Sequence, residues 1–344
     1  MISLLFAHAA FSASIVDPPG SLQANIGLHN DFSKYYDRLF EDNTQIGTRQ
    51  IVDNRSRLDV EFGALDVLSL RVTLPYTYTN YRFPTAQEMS FSPRTDTGSS
   101  IGGSDLTVED RKGKGLTGSF VGLRLYPFEG NFYDNRRHRG SWRLELGYRV
   151  PDATHYYTVN DNNQRGSGPG AGAFYFGGTF VGKARIGRPY IQSDFTLSSR
   201  WSGDIRDTNG VTRISNTNIR PASIAQAQAG SEIPVYQDKA NDSEVALHFY
   251  GRFRYQSWMD IPSGIVIPQI LPTTADLIVT QTEQSSFHSG FGLNMHFITY
   301  YNLQLYSEFG LYSPQVLEHV YDTNTNGGLS WLIGSAFTFR YRSF

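Results

Sequence analysis

Apolar and polar side chains alternate one by one along most of this chain, and no segment repeats at a helical spacing. From Arg57 to Ala64, Leu58, Val60, Phe62 and Ala64 fall on one face and Arg57, Asp59, Glu61 and Gly63 on the other. A tight turn follows, and Leu68, Leu70, Val72 and Leu74 then alternate with Ser69, Arg71 and Thr73. The same pattern recurs around Val121–Leu125, Trp142–Val150, Phe174–Ile186, Ile191–Leu197, Glu244–Tyr255, Phe287–Phe297, Leu303–Leu311 and Trp331–Tyr341. With an opening segment at Leu22, Ala24, Ile26 and Leu28, eleven strands are visible. Each is a ribbon with one apolar and one polar side.

The links between them differ in length. Short ones fall near residues 65, 187 and 300, with a medium one at 128–140. Long polar ones fall near 31–52, 84–115, 152–172, 202–242 and 313–326. Short turns at one end and long loops at the other is the arrangement of an outer-membrane barrel. The pattern has the strands near 245–258 and 287–299 both running toward the short-turn end. An ascending strand is therefore expected between them, within 263–283, where Ile265, Ile267 and Ile278 occur beside Pro268 and Pro272. That makes twelve, an even number as such barrels require.

Composition sharpens this picture. Hydrophobic residues are 39% of the 344, charged residues 18% and aromatics 14%, with 33 Gly and no Cys. No run of about 20 apolar residues offers a membrane-spanning helix. The aromatic content opposes disorder, and a net charge of −2 opposes a general nucleic-acid binder. A soluble sandwich or small barrel would turn its apolar face inward. Here those faces are wide and rich in Phe and Leu on nearly every strand. Tyr76, Tyr78, Tyr148, Trp201, Trp258 and Tyr300 also gather near strand ends, as in an interfacial girdle.

If the apolar side meets lipid, the polar side lines the lumen. The lining residues expected are Arg57, Asp59, Glu61, Arg71, Arg124, Arg143, Glu145, Arg149, Lys183, Arg185, Asp194, Glu244, His248, Arg252, Arg254, His288, His296, Glu308, Arg340 and Arg342. Eleven of these are basic and six acidic in a chain that is net negative. Such a set either forms an ion network that fills a narrow barrel or draws small anions into it.

Other motifs carry less. Gly113–Gly118 matches a glycine-rich phosphate loop but precedes a strand rather than a helix. Asp322–Gly327 matches the first half of a calcium loop, yet the closing Glu position is Ile333. His288 and Ser289 are adjacent, so alternation puts them on opposite faces and bars a nucleophile–base pair between them. His288 and His296 share a face but stand about 26 Å apart along a strand, too far for one metal. No enzymatic activity, metal or cofactor is expected. The apolar stretch Ile2–Ala13 reads as the remnant of an export signal, although no Lys or Arg precedes Lys34.

Three segments carry a family resemblance. Asp66–Tyr78 (DVLSLRVTLPYTY) resembles the early hairpin of outer-membrane proteins grouped with the meta-pathway phenol-degradation family, and Leu144–Pro151 resembles a later repeat of it. Phe337–Phe344 resembles the terminal strand read by the barrel-assembly machinery, with Tyr341 and the final Phe344 out of phase. The resemblance implies a channel or transporter for small, often hydrophobic, compounds. The combined expectation is an all-β transmembrane antiparallel barrel of about twelve strands over residues 15–344, after an export remnant at 1–14. It would sit in the outer membrane of a Gram-negative bacterium and pass small solutes. The alternative is a plugged structural barrel that holds a partner protein. Expected partners are outer-membrane lipids, the barrel-assembly machinery, a small-molecule solute and, in the alternative, a protein at the loops.

Overall fold

The computed structural model describes residues 19, 21–41, 44–82, 111–127, 140–151, 170–182, 184–206, 212–238, 240–257, 283–297, 300–317 and 323–342. The expected export remnant at 1–14, Trp258 and Lys183 lie outside the described residues, as does the side chain of Arg342.

The described residues form strands and turns only. The strands are β1 (Gln23–Glu41), β2 (Thr44–Leu65), β3 (Leu68–Arg82), β4 (Arg111–Leu116), β5 (Phe120–Leu125), β6 (Gly140–Arg149), β7 (Ala173–Gly182) and β8 (Arg188–Ser198). They continue with β9 (Trp201–Arg206), β10 (Thr212–Ile219), β11 (Ile224–Asp238), β12 (Ser243–Gln256), β13 (Gln284–Phe297), β14 (Tyr301–Tyr312), β15 (Gln315–Leu317) and β16 (Thr323–Arg342). β4 and β5 are two halves of one bulged strand, since both pair with β3 across an interruption at 117–119. There Gly118 takes a φ of +102°, which a side chain would strain. β9 and β10 pair only with each other, and β15 is a short addition to β16.

Twelve strands remain, each antiparallel to its neighbours. Pairing of β1 with β16, from Gln23↔Arg342 upward, closes them into a barrel. Closure leaves no open edge, the condition for backbone amides to be satisfied in lipid. Both ends of the barrel domain and the short turns lie at one end, which is the periplasmic end by the rule for such barrels. In the turn after β11, Asp238 accepts hydrogen bonds from the Ala240 amide at 3.0 Å and from Asn241 Nδ2 at 2.8 Å. The Asn241 side chain first, and then the backbone amides, hold its carboxyl below the usual range.

The structure corrects the sequence reading in three places. The stretch 31–52 is not a loop: β1 and β2 run through it as a long hairpin with only residues 42–43 between them. The stretch 202–242 contains the β9–β10 hairpin and the whole of β11. β11 is the twelfth strand, so β12 ascends from the periplasmic end, against the expectation that it descends. The interval 263–283, where that strand was sought, falls between β12 and β13, and of it only Glu283 is described.

Burial is inverted relative to a soluble protein. Phe62, Leu70, Leu146 and Phe253 are 40–56% exposed, and Leu28, Leu123, Phe174, Ile191, Phe291 and Ile333 share that outward face. The buried positions are mostly Asp, Glu, Arg, His, Asn, Gln, Ser and Thr. The greasy side of the ribbon therefore faces out.

Candidate functional site: the charged lumen

Period-two alternation on neighbouring strands sends polar side chains into one shared space, and the register decides which of them meet. On the side formed by β2, β3, β5 and β6, three carboxylates interleave with three guanidinium groups. Asp59 lies 2.9 Å from Arg57 Nε and 3.1 Å from Arg71 Nη2. Glu145 lies 2.9 Å from Arg71 Nη1 and 3.1 Å from Arg124 Nε. Glu61 takes Arg124 Nη1 at 2.6 Å and the Tyr126 hydroxyl at 2.7 Å, and also accepts from Ser69. His29 on β1 joins the same web, 3.0 Å from Asp59.

Arg143 stands apart. It donates to Thr179 Oγ1 at 2.9 Å and has no ion pair among the described residues. It lines a cavity of about 50 Å³ with Arg57, Arg71, Arg124, Arg149 and Glu145. That side of the lumen thus carries more guanidinium than carboxylate.

Further round the sheet, on β8, Asp194 accepts from Gln192 at 2.7 Å and Gln226 at 3.0 Å, and from the Tyr175 hydroxyl. His248 meets the Tyr190 hydroxyl at 2.7 Å, which in turn accepts from Gln228 Nε2 at 2.6 Å. Toward the periplasmic end, Arg188 bridges Glu232 at 3.3 Å and also binds Glu244. His296 faces inward there, opposite Glu244 in register. Arg340 donates to Asn25 at 3.1 Å, next to the seam.

Nearer the outer end, Glu308 gathers Arg252 Nη2 at 2.5 Å, Tyr250 Oη at 2.7 Å and His288 Nδ1 at 2.9 Å. Arg252, Arg254 and His288 are no more than 2% exposed. A second cavity, of about 40 Å³, lies between His288, Glu308, Tyr312, Asp31, Asp53 and Arg55.

Arg185 is a correction. It is exposed in the turn between β7 and β8, because β7 ends at Gly182 and the alternation ends with it. Several members of the network were missed from sequence. Asp31 and Asp37 lay in the stretch read as a loop, and Gln226, Gln228 and Glu232 lay inside another. A signal for the latter existed: these polar residues alternate with Ala225, Ala227, Ala229 and Ser231, a period-two pattern whose outer face is small rather than bulky. Ser286 was missed for a different reason, since only the pair His288–Ser289 was weighed.

No family model matches the chain. No curated protein matches its sequence either. Solved structures do resemble it. An outer-membrane channel from Pseudomonas putida F1 superposes with a TM-score of 0.55 at 11% identity, covering 94% of this chain and 98% of that one. A FadL homologue from Pseudomonas aeruginosa gives 0.43 at 8% identity, with coverage of 94% and 92%. A deletion mutant of the monoaromatic hydrocarbon channel TodX gives 0.42 at 10% identity, with coverage of 96% and 93%. The first likeness establishes a shared fold. With the closed sheet and the exposed apolar belt, it makes this chain an outer-membrane β-barrel.

Proposed function

We propose that the chain is a passive channel for small solutes, and that its lumen favours anions. The observation that carries this reading is Arg143, an inward guanidinium with no carboxylate at ion-pair distance among the described residues, set in a cavity that five arginines and Glu145 line. Fixed positive charge in a narrow, low-dielectric passage raises the local concentration of anions. The likeness to a protein described as an outer-membrane channel supports transport in general. Cavities of about 50 and 40 Å³ among the described lumen residues, room for a few waters each, are in keeping with a small solute.

The competing reading is a filled barrel that serves as an anchor. The near-complete burial of Arg252, Arg254 and His288 favours it, since ion pairs of this kind can plug a lumen as well as line one.

Planar-bilayer recording of the purified barrel separates the two. The channel reading expects discrete conductance and a reversal potential, under a potassium chloride gradient, on the chloride side of zero. Arg143→Glu should move that potential toward the cation side without loss of the folded barrel. A barrel that never conducts, in liposomes that stay sealed to small solutes, defeats the reading.

A further inference from the structure

One arrangement in the lumen is not needed by a pore. Ser286 and His288 stand two residues apart on β13 and so share its inward face. Ser286 Oγ is 2.9 Å from His288 Nε2, and the other ring nitrogen, Nδ1, is 2.9 Å from Glu308 Oε1 on β14. The three residues are 5%, 1% and 3% exposed. A carboxylate 2.9 Å from Nδ1 favours the Nδ1–H tautomer by its charge, the N–H itself not being aligned for a hydrogen bond. The Nε2 lone pair is then directed at the hydroxyl, as a general base must be toward its nucleophile.

Two neighbours complete the set. Gln284, next along the same face, is 4% exposed, and its Nε2 has no hydrogen-bond partner among the described residues. Arg254 is the register partner of Ser286 on β12. A buried side-chain N–H without a hydrogen-bond partner among the described residues, two positions from the nucleophile on the same inward face, is a candidate donor for a developing oxyanion. Ser286 also lies only two residues from the outer end of β13, while the cavity of about 40 Å³ is lined by His288 and Glu308 and not by Ser286 or Gln284.

The geometry points to an acyl-transfer site in which Ser286 is the nucleophile, His288 the base, Gln284 the oxyanion donor and Glu308 the residue that positions the ring, acting on carboxylic esters that reach the outer end of β13. Ser286 Oγ forms a bond to the ester carbonyl carbon while its proton passes to His288 Nε2. The carbon–oxygen bond to the leaving alcohol then breaks, and His288 returns the proton to that oxygen. Water, deprotonated by the same ring, releases the acid and restores the serine hydroxyl. No oxidant, metal or cofactor enters the balance.

The test uses the full folded chain in detergent micelles, with an alkyl fluorophosphonate as covalent probe and p-nitrophenyl acetate as substrate. Fluorophosphonate forms an Oγ–phosphorus bond as fluoride leaves. The expected result is ester turnover by the folded protein and none after heat unfolding, with the label mapped by peptide mass to Ser286. Ser286→Ala and His288→Asn should each lower ester turnover at least about 100-fold. Heat-modifiable gel migration reports that each variant still forms the barrel. The label's position in the wild-type digest decides the matter even for a variant that does not fold. Neither labelling nor turnover in the folded wild type, a label on another residue, or turnover that persists in Ser286→Ala overturns the proposal.

Discussion

Arg252 and Arg143 both point into the lumen, yet their removal should have different consequences. Arg252 is 1% exposed and lies 2.5 Å from Glu308, itself 3% exposed. Arg252→Ala leaves that carboxylate buried with only Tyr250 and His288 for company, a change that costs about 3–5 kcal/mol. The midpoint of urea unfolding of the barrel should fall accordingly; an unchanged midpoint would mean that Glu308 is not held by this pair. Arg143, with a single hydrogen bond to Thr179, has little stability to lose and should act on selectivity instead. Both residues were legible as inward-facing, because period two needs nothing beyond the strand itself. Their partners were not. Glu308 meets Arg252 from two strands away, and only the register of β12, β13 and β14 sets that meeting. The same limit hid the Ser286–His288–Glu308 set: two members lie on one strand, the third on its neighbour.

Among the strands, β11 shows where alternation fails as a guide. Its outward residues are Ala225, Ala227, Ala229 and Ser231, too small to give an apolar signal, while its inward Gln226, Gln228 and Glu232 suggest a polar loop. β1 and β2 mislead differently. Asn30, Ser56 and Lys34 sit on the outward face and interrupt the apolar run, but backbone pairing carries the hairpin through without regard to them. Twelve strands were thus legible by parity, with one placed in the wrong interval. Strands also fit through pairs that composition does not announce. Tyr250 on β12 lies across Gly290, its register partner on β13, so a methyl group there would overlap the ring. Gly290→Ala should cost about 1–3 kcal/mol by displacing Tyr250, and with it the hydrogen bond to Glu308. Gly178→Ala is the matched control, because a methyl there meets only Leu144 at an ordinary 3.6 Å. Equal unfolding midpoints for the two variants would show that the Tyr250 ring does not depend on the space above Gly290.

For the barrel as a whole, the fold and the orientation of its faces followed from the sequence because both rest on one repeating rule, whereas the balance of charge in the lumen depends on every register at once. That balance yields a prediction that separates two kinds of selectivity. If anions are favoured by fixed charge around Arg143, Arg149 and their neighbours, the preference belongs to a field that mobile ions screen. The screening length is about 10 Å at 0.1 M salt and about 3 Å at 1 M. The first exceeds the spacing of the ion-paired groups in the Arg57–Glu145 web, and the second is comparable to it. The chloride-to-potassium permeability ratio should therefore be largest in dilute salt and approach the ratio of the free ion mobilities near 1 M. Arg143→Glu should reverse the preference in dilute salt and converge on the wild-type value in concentrated salt. A filter that works by size alone would hold its ratio constant across the series. Reversal potentials measured at a fixed salt gradient, stepped from 0.1 to 1 M, decide between them: a flat series would remove the charge of the lumen from any role in selection.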